Sequence, residues 1–79
     1  MEEFIHLQQH TLTVSQYVAK FLELSRFAPD FVSTEERKTR RFIKGLRVAI
    51  RSRVIAFMGQ QFTEVVDRAM LIEQELEIL

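Results

Sequence analysis

Only Gly45, Gly59 and Pro29 stand as strong backbone breakers in these 79 residues. A many-stranded sheet needs a turn signal about every 8–12 residues, and three breakers cannot supply them. Apolar residues instead recur at spacings of three and four, the period of an amphipathic helix. The chain is therefore expected to be all-α. At 79 residues it makes one domain, 1–79, and buries about 63% of its open-chain surface. With 47% apolar and 28% charged residues it has the composition of a globule rather than a disordered segment. Its core is modest and its stability marginal, so an oligomeric partner would help it.

The punctuation predicts a compact bundle of about five helices. The first covers 2–9 around Phe4, Ile5 and Leu7, and is too short to hold alone. After a link at 10–12, Thr13 opens the second, with Gln16 completing a weak capping box. Val14, Tyr17, Val18, Phe21, Leu24 and Ala28 form its stripe, and Pro29 ends it. Residues 30–32 are a link. Ser33 with Glu36 makes a full capping box for a third helix running to Lys44. Phe42, Ile43 and Leu46 supply its core contact, and Gly45 takes the C′ stop position. A fourth helix over 47–58, stopped by Gly59, puts Leu46, Ile50, Val54 and Phe57 in one row and Val48 and Ile55 in another. The fifth runs from Phe62 to the end on Phe62, Val65, Val66, Ala69, Ile72 and Leu76, with Met70, Leu71, Ile78 and Leu79 partly off that stripe.

Catalytic chemistry finds little purchase. There is no cysteine, hence no disulfide, thiolate nucleophile or sulfur-ligated metal. Glu2, His6 and His10 would form a column on a helix, but no fourth ligand is suggested. Glu2/Glu3, Glu35/Glu36 and Glu73/Glu75/Glu77 lie in first turns or on polar faces rather than in a pocket that shifts a carboxyl pKa. The serines lack an activating base, and no glycine-rich phosphate loop exists. The expectation is a non-enzyme with no metal, cofactor or small-molecule substrate. The longest apolar run, Val54 to Met58, is far short of a membrane span, and the start Met1-Glu2-Glu3-Phe4 is acidic where a signal peptide is basic. The compartment expected is cytosol or nucleus. The stop at Glu77-Ile78-Leu79, without a helix-ending signal, suggests a piece of a longer polypeptide.

Net charge is zero, but its distribution is not even. Residues 1–36 carry six acids and two bases, residues 54–79 five acids and one base, and residues 37–53 eight bases and no acid. The plain explanation is solvated helix faces. The sharper ones are a phosphate-binding face, or complementary surfaces that bring copies together. Aromatic interleaving in 37–53 is poor, so any RNA binding would be weak, nonspecific and salt-sensitive.

The order Leu7-Gln8-Gln9, Thr13-Val14, Tyr17, Phe21 and Leu24 resembles the opening of the gypsy-type LTR retrotransposon Gag capsid family, plant elements in particular. The resemblance continues through Arg26-Phe27-Ala28-Pro29, Phe42-Ile43-Lys44-Gly45-Leu46, Ile50-Arg51, and Phe62 to Ala69 with Glu73. It covers nearly the whole chain. His10 stands where glycine is common, Gln16 where an acid is usual, and Val48 where proline often follows. The first two are expected to loosen the turn and the capping box. The resemblance implies the C-terminal half of a capsid-like domain, similar to retroviral capsid C-terminal domains, which supplies subunit contacts in a shell around element RNA. It also implies that Gln9, Tyr17 and Phe21 anchor a turn similar to the retroviral major homology region, with Phe42, Gly45 and Leu46 as a helix-stop and core block.

A core this small cannot readily hold seven phenylalanines and both rows of the fourth helix. Val48, Ile55, Met58 and Leu71 are therefore candidates for a self-association surface, rimmed by Arg47, Arg51 and Arg53; the alternative is that they fill the core. The expected role is a homodimerising structural domain of cytoplasmic virus-like particles. Two others stay open: a domesticated Gag-derived adaptor holding a partner peptide between helices, and an RNA-binding module using 37–53.

Overall fold

A computed structural model of the chain describes residues 6–56 and 61–78, and all regular structure among them is helical. Four α-helices follow one another: α1 (Val14–Ser25), α2 (Glu35–Gly45), α3 (Val48–Val54) and α4 (Phe62–Ile78), with a 3₁₀ turn at Pro29–Val32 between α1 and α2. The radius of gyration, 11.9 Å, is that of a compact globule of this length.

The longest helix, α4, packs against the other three. Its stripe is buried as the periodicity predicts, at Phe62, Val65, Val66, Ala69 and Ile72. Facing it are Val14, Tyr17 and Phe21 of α1, Phe42 of α2, and Ile50 and Val54 of α3. Four rings form the centre. Tyr17 stacks on Phe42 at 4.9 Å, Phe21 stacks on Phe62 at 5.6 Å, and Phe42 meets Phe21 and Phe62 edge-on at 5.4 and 5.2 Å. Such pairs add about 0.5–1.5 kcal/mol each beyond their burial.

Several expectations are corrected. Four α-helices lie among the described residues, and the first of the five expected falls partly outside them. Of the helix expected over 2–9, residues 2–5 lie outside the described residues, and 6–9 are turn and irregular backbone. Contacts made elsewhere outweigh a short helix's own ladder here: the Gln9 amide donates to the Gly45 carbonyl at 2.7 Å, and His10 sits at φ 48°. His6 and His10 of the expected column are therefore not on a helix, and Glu2 lies outside the described residues. Thr13 caps α1 with both halves of the capping box in place, the Gln16 side chain accepting the Thr13 amide.

α1 ends at Ser25, and the chain then turns onto Pro29, which occupies the first position of the 3₁₀ turn. That turn runs on into Ser33, which is itself in right-handed geometry, so Thr34 caps α2 in place of Ser33. The Thr34 hydroxyl accepts from the Arg37 amide at 3.1 Å. Glu36 pairs instead with Arg40. α3 is shorter than the range 47–58, and Met58 and Gly59 lie outside the described residues.

Gly45 is not a left-handed stop. It is the last residue of α2, and Leu46 follows in extended geometry. Close approach is what demands a glycine. A Cβ there would lie 2.8 Å from the Leu7 carbonyl oxygen, 2.9 Å from Tyr17 Cζ, and closer still to Tyr17 Oη.

Candidate functional site

The turn before α1 and the start of α3 are one hydrogen-bonded unit centred on Gln9, whose side chain is fully buried. Its Nε2 donates to the Leu12 carbonyl at 2.9 Å, and its Oε1 accepts the Arg47 amide at 3.0 Å. Its own carbonyl accepts the Leu12 amide at 2.9 Å, closing the turn in which His10 is left-handed. Arg41 donates to the Leu7 carbonyl at 2.9 Å from α2. Both other expected anchors, Tyr17 and Phe21, are fully buried, and Tyr17 Oη donates to the Phe42 carbonyl at 2.9 Å. Burial pushes the Tyr17 hydroxyl up to about 12, with nearby Arg41 opposing the rise. Phe42 and Leu46 are core, and Gly45 makes room for Tyr17.

Glu73 completes the unit. One carboxylate oxygen accepts the Val14 amide at the first turn of α1, 2.9 Å, and the Arg47 guanidinium at 3.4 Å. A single acid on α4 thus caps α1 and holds the residue that precedes α3. No role for it emerged from the sequence. The available signal was its place beside Val66 and Ile72 on the edge of the buried stripe, where a carboxylate needs partners. Its near relation at the other end of α4 is Glu35, which accepts the Phe62 amide at 2.6 Å.

α3 divides cleanly. Ile50 and Val54 are buried, while Val48 is 67% and Ile55 49% exposed. These two are seven residues apart and share one outward face. Arg51, three residues after Val48 and four before Ile55, flanks them, while Arg53 lies on a different side of the helix. Arg51 donates to the Lys44 carbonyl at 3.1 Å, and Arg53 to the Ala49 carbonyl at 2.9 Å. A guanidinium has five donors, so each keeps capacity for another partner. Leu71, on α4, is 46% exposed. Met58 lies outside the described residues. Phe27 is 70% and Leu22 41% exposed, and neither was singled out by spacing: Leu22 lies beside Phe21 off the buried stripe, and Phe27 lies beyond the end of α1.

No family model, curated protein or solved structure matches this chain. Among the described residues, no three His, Cys, Asp or Glu side chains are placed to hold a metal ion, and no helix is long and apolar enough to cross a membrane. What the described surface offers is contact chemistry: an apolar pair on a short helix, flanked by the Arg51 guanidinium.

Proposed function

We propose that this chain is a non-enzymatic self-association domain, the C-terminal half of a capsid-like domain in a gypsy-type retrotransposon Gag protein. The observation that carries the self-association is the outward pair Val48 and Ile55. Two large aliphatic side chains, one heptad apart, are left in water by a domain whose core is small. Burying them against another copy stabilises both copies by about 1.5–3 kcal/mol per side chain at full burial. The Gag assignment rests on the ordered resemblance from Leu7 to Glu73, and the all-α fold is compatible with it.

Two departures from the family pattern are accommodated physically. His10 takes the left-handed geometry in which glycine is easier. Val48 opens α3 after Arg47 at φ −57° and ψ 148°, a backbone that also suits a following proline. Solution mass measured by sedimentation from low micromolar to near millimolar tests the reading. It predicts growth with concentration that persists in salt, and its loss in V48D/I55D with helicity unchanged. A wild-type chain that stays monomeric throughout refutes it.

A further inference from the structure

α4 carries an outward stripe that its own chain does not cover. Glu64, Asp67, Leu71, Glu75 and Ile78 follow at spacings of three and four, and all five are exposed, Ile78 to 84%. Leu71 and Ile78 are one heptad apart, as Val48 and Ile55 are on α3. An aliphatic pair about 10 Å apart along the helix therefore occurs twice on the surface. It has the Arg51 guanidinium as its flank on α3 and carboxylate flanks on α4. Arg68, the one base of α4, is half-buried and engaged in its own contacts.

We infer that the outward faces of α3 and α4 are the two halves of a head-to-tail contact, α3 of one copy seated on α4 of the next. The inference rests on the self-association reading and specifies its geometry. Each face repels its own kind: two α3 faces bring their Arg51 side chains together, and two α4 faces bring carboxylates together. Only the unlike pairing buries both aliphatic pairs and matches charge. The faces cannot meet within one chain, because α3 and α4 pack on each other through their buried sides and both outer faces remain exposed. A contact between unlike surfaces is heterologous, so it extends into rings or chains instead of stopping at a two-fold dimer.

Charge exchange tests it. S52E/R53E alters exposed positions on α3, and D67K/E75K alters exposed positions on α4. Each variant alone should associate at least about tenfold more weakly than wild type. An equimolar mixture should recover association to within about threefold of wild type, because both unlike pairings are again attractive between variants. Recovery also shows that both variants are folded. Wild-type association by D67K/E75K alone, or a mixture that stays monomeric while wild type associates, overturns the head-to-tail geometry. If V48D/I55D is then still monomeric, self-association through α3 survives. A monomeric wild-type chain overturns both.

Discussion

Replacing Gly45 with alanine is the sharpest stability test of the packing. The added methyl would intrude on Tyr17 Oη, on Tyr17 Cζ at 2.9 Å and on the Leu7 carbonyl oxygen at 2.8 Å. Tyr17 cannot swing away cheaply, since it is fully buried, stacked on Phe42 and bonded to the Phe42 carbonyl. Overpacking of this kind costs about 1–3 kcal/mol, and losing the buried hydroxyl's bond about 1–3 more. Helix propensity returns at most about 1 kcal/mol, and less at a terminal residue. The net expected loss is about 2–4 kcal/mol, against a total stability of about 4–12 kcal/mol for a chain of this length. Urea unfolding at a concentration below association measures it. Tyr17→Phe removes the atom in closest conflict, so G45A/Y17F should lose at least about 1 kcal/mol less than the two single losses together. An alanine variant as stable as wild type, or strict additivity with Y17F, refutes close approach as the reason for glycine.

Three further outcomes follow from the same unit. Gln9→Leu leaves the Arg47 amide and the Leu12 carbonyl without their side-chain partners and should cost about 2–4 kcal/mol in urea unfolding; a loss below about 1 kcal/mol would show that water replaces both bonds. His10→Gly relieves a left-handed residue worth about 1–2 kcal/mol but adds chain entropy, for a net gain of about 0.5–1 kcal/mol; a lower melting temperature would contradict it. The Tyr17 hydroxyl titrates near 10.0 when unfolded and is pushed up to about 12 when folded. Its contribution is therefore complete below pH 10 and lost as pH rises through 12. Wild type should lose about 2–3 kcal/mol relative to Y17F across that window, and parallel stability curves for the two would refute the shift.

The long elements were legible because their period is long. The stripe of α4 fixes both its extent and its buried face, and Thr13 marks the start of α1 correctly. Failures fell where local signals compete with distant contacts. Ser33 and Thr34 are both good caps, and only the geometry left by the Pro29 turn decides between them. Apolar residues before Gln9 suggest a helix, yet residues 6–10 follow bonds to partners 34 to 38 positions away. The two rows of the fourth helix were visible in spacing, but which row faces out depends on where α4 lies. Gly45 was noticed for the right region and the wrong cause, since Tyr17 approaches it from another helix. Glu73 escaped because a carboxylate that caps a distant helix leaves no local pattern.

α3 has seven residues, too few to hold a helix by its own hydrogen bonds. Its direction is therefore imposed from outside. Gln9 holds the Arg47 amide, Glu73 holds the Arg47 guanidinium, and Arg51 reaches back to the last turn of α2. The outward bearing of Val48 and Ile55 depends on the same bonds. It follows that the turn at Gln9 governs association as well as stability. Gln9→Leu should weaken self-association by more than a core change of equal stability cost that lies away from α3, such as F21L. Both variants are compared by sedimentation under conditions where each is fully folded. Equal weakening would mean that α3 keeps its bearing without Gln9, and that the turn acts on stability alone.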